Sequence, residues 1–396
     1  CNNVLEIVDK VTFSSDGDAK IATIQAWAYW WKGYAYSRIG STYYAGVINN
    51  ATLGTNGNYV TKEKLIEESN TNLDKAASTV GAISNVTVYT ATMTKLIPAI
   101  FQVGKGGVPT PDMFKRNINT LKARNILVNK TVATMTSTDW NAILALVNNG
   151  IQEDDNVFTG RSNANGDFIS GTGTVAGKTQ STLAGGNTYK LSERWVADFK
   201  TGDKRKDNNV KLTTTWTGNS DRGNAFNTRY TLVSGGNGLS GVAVYADITP
   251  GAYELYLAGN YEENELMKAE AKIYTGDING GLAIIDDIRD AQGAALAHVS
   301  GTGLSLANAK EELRKERRIV LAFRGLSFYD ARRWGVINPL AQGGGKTATI
   351  VLSSSGVVNT NASIEYNFLD YWDVPDNELM YNPPAEGSAA VKNPKQ

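Results

Sequence analysis

The strongest constraint on this chain lies between residues 260 and 290. Leu266, Ala269 and Ile273 recur on one helical face, Gly276 and Asp277 supply a stop followed by an N-cap, and Leu282, Ile285 and Ile288 begin a second helix. This pattern specifies an antiparallel helical hairpin. Ala269 and Ala271 are placed at the contact face, where two backbones that approach closely need small side chains, as a tetratricopeptide-type unit requires. One such hairpin cannot bury its face alone, so other helices of the chain must stack on it in a single superhelical scaffold.

Those partners are expected in the N-terminal zone, residues 1–149. Val4, Ile7, Val8 and Val11 recur at helical spacing, and a second stripe runs through Ile24, Trp27, Ala28, Trp31 and Ala35 until Gly40 stops it. Both read as core helices, with Trp27 and Trp31 buried. A third helix takes Thr61 as N-cap and carries Ile66, Leu73, Ala77 and Val80 on one face, with Glu63 favourably placed in the first turn. Weaker periodicity predicts helices over 88–103, 112–127 and 139–148.

Residues 150–259 are dense in Gly, Asn, Ser and Thr, with short β-prone runs at 211–217 and 241–248. They read as long surface loops with a few strands, a place where binding residues commonly sit. Residues 260–335 return to helical hairpins, and 336–396 form an irregular tail. The expected fold class is therefore mainly α: a tetratricopeptide-like helical-repeat scaffold with a loop-rich, sparsely stranded central insertion, all in one integrated domain.

Charge and composition narrow the function. The chain has 39 Lys+Arg against 39 Asp+Glu, so no global field draws it to nucleic acid. One cysteine, Cys1, and one histidine, His298, exclude an intrachain disulfide, a cysteine-rich zinc site and a multi-histidine metal centre. No cofactor, metal ligand or catalytic residue is assigned. The longest apolar runs, 26–31 and 319–323, fall far below the roughly 18 residues that span a bilayer.

Several motifs reduce to ordinary structure. The stretch from Gly343 to Thr347 ends like a phosphate-binding loop, but its first glycine would fall on Leu340. Gly171, Gly173 and Gly177 miss the dinucleotide spacing by one residue, and a calcium loop through Asn163, Asn165 and Asp167 would end on Thr172 in place of glutamate. The basic run that includes Lys310, Arg314, Arg317, Arg318, Arg332 and Arg333 is interleaved with acids and reads as a solvated, partly structural helix. His298 has no recognisable orienting partner and reads as a loop histidine. Adjacent carboxylates such as Asp154 with Asp155, or Asp286 with Asp287, diverge and do not face each other as glycoside hydrolysis requires; the latter two read as a polar helix face.

What remains is aromatic surface, with 8 Trp, 18 Tyr and 10 Phe in the chain. Flat rings stack on the C–H face of a sugar while amides and carboxylates bond its hydroxyls. Trp216, Tyr230 and Tyr245, with Asn219, Asp221 and Asn224 nearby, are the first candidates, because no helical stripe claims them. Tyr43 and Tyr44, where the aromatic helix opens into loop, are second choices.

The sequence resembles the SusD/RagB family of outer-membrane nutrient-binding lipoproteins of Bacteroidota. The resemblance is carried by Asn264 to Ala271, Thr275 to Asp277, Ile285 to Arg289, Glu316 to Arg318, Ala322-Phe323, Gly325, Asp330 and Arg333 to Gly335. Pro375 to Glu378, Asn382-Pro383 and Asn393-Pro394 match the closing segment; Ala26 to Trp30 with Ile39-Gly40, and Asp198 with Asp203 to Arg205, match earlier elements. Val320, Arg324 and Ser327 depart from the family pattern and remove candidate ion-pair partners of Arg317 and Arg318.

The resemblance implies a surface-exposed, non-enzymatic protein of the cell outer membrane. It would bind an oligosaccharide, or alternatively a peptide, and deliver it to a SusC-like TonB-dependent outer-membrane transporter. A structural or interaction subunit of a cell-envelope complex is the rival reading. Family members are peripheral, lipid-anchored proteins, and a lipid on Cys1 would fit that pattern. A helix starting at Asn2 leaves no tether, however, so Cys1 reads as an internal cysteine of a chain whose upstream portion is missing.

Overall fold

The computed structural model describes residues 1–160, 191–217, 227–247, 249, 252, 254–366 and 368–395. Gly171, Gly173 and Gly177, and Asn163 to Asp167, lie outside them. The N-terminal zone holds α1 (Asn2–Val8), α2 (Gly17–Thr42), the strand pair β1 (Ala45–Val47) and β2 (Tyr59–Thr61), then α3 (Lys62–Gly81), α4 (Val86–Leu96), α5 (Pro111–Val128) and α6 (Ser137–Val147). The central region contributes β3 (Thr159–Gly160), α7 (Glu193–Asp198), α8 (Lys204–Asn209), β4 (Val210–Thr217), β5 (Asn227–Leu232) and β6 (Leu255–Tyr256). Then come α9 (Tyr261–Tyr274), α10 (Ile278–Ala291), α11 (Leu306–Val320), α12 (Ser327–Arg333), the pair β7 (Lys346–Leu352) and β8 (Val358–Ile364), and α13 (Asp376–Tyr381).

The hairpin expected at 260–290 is α9 and α10. Asn260 caps α9 by accepting from the Glu263 amide at 3.0 Å, and Asp277 caps α10 by accepting from the Gly280 amide at 2.9 Å. Leu266, Ala269 and Ile273 enter one core with Leu282, Ile285, Leu313 and Tyr329. Ala271 departs from the expectation: it faces the other way, joining Met267 in a second core with Trp140, Ile143 and Leu127. So α9 is covered on two sides, by α10 and α11 on one and by α5 and α6 on the other, and this joins the N-terminal helices to the C-terminal hairpins.

A third core, around Trp30, Leu73, Tyr89, Phe114 and Ile118, unites α2 to α5. Here the helix faces are rotated from those read in the sequence. Along α2 the buried positions are Thr23, Ala26, Ala28, Trp30, Gly33, Tyr36, Ser37, Gly40 and Ser41, while Trp27 and Trp31 lie half-buried at the edge and Ala35 is exposed. On α3 the buried set is Leu65, Ser69, Asn72, Leu73, Ala76 and Val80, so Ile66 and Ala77 are only partly covered. Gly40 does not stop α2. A Cβ there would meet the Leu65 Cβ at 2.9 Å, so its role is close approach of α2 to α3.

Other differences have local causes. In α1 only Val8 is buried, and Val4, Ile7 and Val11 face solvent, so α1 is not a core helix. The helix expected over 88–103 ends at Leu96, because Ile97 precedes Pro98 and adopts an extended backbone, φ −90° and ψ 125°. The β-prone run 241–248 forms no strand among its described residues. Its backbone groups bond side-chain amides: Asn209 receives the Tyr245 amide at 2.8 Å and donates to the Ala243 carbonyl at 2.7 Å. Among the described residues the four strand pairs are two-stranded and antiparallel, and β3 pairs with β6, bringing the chain back beside the point where it left the helices. No helix among the described residues is long and apolar enough to cross a membrane.

The basic run of α11 and α12 is not a solvated face. Arg317, Arg332 and Arg333 are buried, and Arg317 keeps its partners despite the substitutions at Val320, Arg324 and Ser327. Asp330 accepts from Arg317 Nε at 3.1 Å and from Arg333 Nε at 2.7 Å, while Glu270 takes both terminal nitrogens of Arg333. Arg318 pairs with Asp198 at 2.6 Å. Asp286 is likewise buried and accepts from the Val299 and Ser300 amides, so only Asp287 is a polar face residue.

Candidate binding cavity

A cavity of about 220 Å³ opens where the turn 151–157, β6, the start of α9 and the end of α10 meet. One wall is set by Asp155, which is buried and accepts from Arg116 Nε at 2.7 Å, Arg116 Nη2 at 2.5 Å and the Gln152 amide at 2.9 Å. Locking that carboxylate fixes a tight turn that turns Gln152, Glu153 and Asp154 to the opening. Lys105 steadies the same turn: its ammonium bonds the Glu153 carbonyl, and its own carbonyl accepts from the Val157 amide at 2.7 Å.

The opposite wall carries two rings. Tyr256 lies in β6 with the Arg324 guanidinium 4.4 Å from its ring centroid, and Tyr261 opens α9 directly after the capping Asn260. Asn260 donates to Glu262 at 2.6 Å, which holds that carboxylate at the rim. Burial pushes the Tyr261 hydroxyl pKa upward, and Glu265, Glu153, Asp287 and Glu262 push it further. That hydroxyl therefore remains protonated in neutral solution. At the back sits Gln292, whose side-chain oxygen accepts from Arg205 at 3.1 Å, leaving its NH₂ as a donor.

The lining combines two half-buried rings, amide groups from Gln152, Asn260 and Gln292, and the carboxylates of Glu153, Asp154 and Glu262, against Lys105. Rings offer apolar surface to a C–H face, and carboxylates and amides bond hydroxyl groups. Negative charge at the rim disfavours an anionic ligand. Among the described residues no group of three His, Cys, Asp or Glu side chains is placed to hold a metal ion.

The residues singled out from the sequence lie elsewhere. Tyr245 is 6% exposed within a core of Leu191, Val196, Phe199 and Leu232, so it is a packed anchor and presents no ring to a ligand. Tyr230 is half-buried against the same core, with Arg229 5.4 Å from its ring. The backbone of Trp216 pairs with Thr228 in the β4–β5 hairpin, but its side chain is outside the description, and Asn219, Asp221 and Asn224 lie outside the described residues.

Tyr43 and Tyr44 belong to a separate joint. Tyr43 forms a β-bridge to Trp372, and the Tyr44 amide donates to the Trp372 carbonyl at 2.8 Å. The Tyr44 ring meets Tyr371 edge-on at 6.1 Å and lines a second cavity of about 280 Å³ with Lys62, Asn129 and Asp370. Tyr256, Asn260 and Tyr261 were missed by sequence reading. Their one sequence signal is Asn260, an N-cap with Tyr261 directly after it.

Residues 263–394 match the model of the SusD family. The fold is similar to a SusD-like protein from Bacteroides fragilis, 15% identical with a TM-score of 0.60, the match covering 96% of this chain and 82% of that one. A SusD-like carbohydrate-binding protein from Bacteroides vulgatus is 15% identical with a TM-score of 0.56, covering 99% of this chain and 82% of that one. A second SusD-like carbohydrate-binding protein from Bacteroides fragilis is 14% identical with a TM-score of 0.60, covering 97% and 83%. No curated protein matches the sequence. The C-terminal third of the chain thus matches the SusD family model, and its helical scaffold has the fold of SusD-like proteins.

Proposed function

We propose that this protein is a nutrient-binding component of the cell surface that takes a neutral oligosaccharide into the Tyr256–Tyr261 cavity. The observation that carries the reading is the pairing of two half-buried tyrosine rings with amides and an acidic rim in one concave site. Two structures that share the fold are described as carbohydrate-binding proteins, which supports a glycan over a peptide. Lipid anchorage at the outer face of the outer membrane, and delivery of the ligand to a SusC-type TonB-dependent channel, belong to the same proposal and follow the family. The protein acts by binding and release, without catalysis. In this reading the residues first singled out, Trp216, Tyr230, Tyr43 and Tyr44 among them, do not form the primary site.

Isothermal titration against two panels, neutral oligosaccharides and mixed peptides, tests the proposal. A saturable response to one neutral oligosaccharide is expected, weakened about tenfold or more by Tyr261→Ala, since losing a ring contact and a hydrogen bond removes more than about 1.4 kcal/mol. A response to peptides alone would move the ligand class. Oligosaccharide binding untouched by Tyr261→Ala would move the site, and silence from both panels would sink the cavity as a site.

A further inference from the structure

A third cavity, of about 270 Å³, lies between α7, the α11–α12 corner and the start of β7. Its charge is opposite to that of the first. Arg194, Arg318 and Lys346 line it, with Asp198 as the one carboxylate among the lining residues. Asp198 is already engaged, accepting from Arg318 Nε at 2.6 Å and Nη2 at 3.0 Å. Arg194 and Lys346 are half-buried, and neither has a carboxylate within ion-pair distance among the described residues. Two cations thus face one space with no anion assigned to them.

The remaining wall is aromatic. Trp195 donates its indole N–H to the Arg318 carbonyl at 2.9 Å, and Trp334 donates its own to Glu270 at 3.3 Å. Both polar edges are committed to the interior, so what the indoles leave for the cavity is hydrocarbon, joined by the ring of Tyr366. A small inorganic anion would use the cations and leave that surface unused. A ligand with a negative group at one end and a C–H face beside it would use both.

The glycine run before Lys346 acquires a role. Gly343 and Gly345 have φ of 79° and 64°, and a Cβ on Gly344 would sit 2.1 Å from the Asn338 carbonyl oxygen, so the run is a tight turn that only glycine fills. A strand follows it where a phosphate-binding loop would open a helix. The turn brings Lys346 to the mouth of the cavity. Burial lowers the Lys346 pKa, and Arg318 and Arg194 lower it further, while Asp198 and Glu311 oppose them. An arriving anion would relieve that repulsion.

We propose that this cavity binds an acidic sugar, its carboxylate held by Arg194 and Lys346 and its ring face resting on Trp195, Trp334 and Tyr366. It is a site separate from the neutral-glycan cavity, and it stands or falls on its own.

Tetragalacturonate, its methyl ester and neutral galactotetraose are titrated against the full chain at low ionic strength, followed by calorimetry and tryptophan fluorescence. The expected result is saturable binding of the acid with a fluorescence change, and binding about tenfold weaker for the ester and for Lys346→Gln or Arg194→Gln, the loss of one charge-assisted contact. Added salt should weaken the acid's binding, and Tyr261→Ala should leave it unchanged. Equal affinity for acid and ester would overturn the proposal, as would undiminished binding by the Arg194→Gln, Lys346→Gln double variant. Absence of binding by the acid, or competition by inorganic phosphate or an acidic peptide at equal affinity, would overturn it too. The variants alter side chains without structural ion pairs, and a normal denaturation midpoint confirms that they fold.

Discussion

Arg205 and Glu316 lie 111 residues apart in sequence, yet both are fully buried and their side chains meet Nη1 to Oε1 at 2.5 Å. Arg205 also grips Asp203 through Nε at 3.0 Å and Nη2 at 2.8 Å, and the second oxygen of Glu316 accepts from Arg289 at 2.7 Å. Arg289 continues to Glu312 at 2.7 Å. The chain of charges fastens α8, in the central region, to α10 and α11 of the helical scaffold. That attachment also fixes the end of α10, where Gln292 closes the back of the first cavity.

Removing Glu316 should therefore do more than delete one contact. Glu316→Ala leaves Arg205 and Arg289 buried without their shared carboxylate, and breaking a buried pair in this way costs about 3–5 kcal/mol. Urea denaturation should show an unfolding free energy lowered by that amount, and Glu316→Gln should fall between Glu316→Ala and the parent. A shift below about 1 kcal/mol would show that the network contributes little beyond its own desolvation cost.

A second prediction concerns Gly33 and Gly40, two turns apart on α2. A Cβ on Gly33 would lie 2.7 Å from Leu73 Cγ and 3.1 Å from the Ser69 carbonyl oxygen; on Gly40 it would lie 3.0 Å from the Lys62 carbonyl oxygen. Alanine improves helix propensity by about 1 kcal/mol, whereas overpacking a close helix contact costs about 1–3 kcal/mol. Backbone atoms of α3 cannot step aside as a flexible side chain can. Gly33→Ala and Gly40→Ala should both destabilise, and a gain in stability for either would mean that the two helices separate without cost.

These elements show what the sequence made legible. The α9–α10 hairpin was readable because its apolar spacing, Gly276 turn and Asp277 cap all act within one short segment. The buried face of α2 was not, because α3, α4 and α5 all pack on it and burial no longer follows one stripe. The ion network was hidden for a different reason: Arg333 and its partner Glu270 are 63 residues apart, and a row of basic residues in one dimension looks solvated until helices bring carboxylates to it. The Tyr256–Tyr261 cavity is concave only because Asp155 and Arg116 lock the facing turn, and no local pattern announces that pairing.

The single histidine gives a clean titration. His298 Nε2 lies 2.9 Å from Asp290 Oδ2, and that hydrogen bond, with the negative charges of Asp290, Asp286 and Asp287, raises the imidazole pKa above its usual value of about 6.5. A raised folded-state pKa contributes stability in full below the unfolded value and loses it as pH rises through the folded value. Both groups are exposed, so the effect on stability is small. The imidazole resonances in proton NMR should titrate above pH 6.5, and Asp290→Asn should bring the midpoint down. An unchanged midpoint in that variant would remove Asp290 as the cause.

Arg332 makes the most exacting test, because among the described residues it is a buried cation with no carboxylate in its hydrogen-bonding shell. Its Nη1 donates to the Ser41 carbonyl at 2.8 Å and the Asp370 carbonyl at 2.9 Å, and its Nη2 to the Val128 carbonyl at 2.8 Å. Ser41 and Val128 stand at the C-terminal ends of α2 and α5, where unsatisfied carbonyls and the helix dipole favour a positive charge. The guanidinium also lies 3.8 Å from the Tyr371 ring centroid, the geometry of a cation–π contact. One side chain thus joins two helix ends to the tail. Lysine keeps the charge but not the planar fork, so Arg332→Lys should lose at least one charged hydrogen bond and much of the stacking, about 3 kcal/mol in all. Urea denaturation measures the loss. A cost below about 1 kcal/mol would show that charge alone, and not the fork, holds the helix ends together.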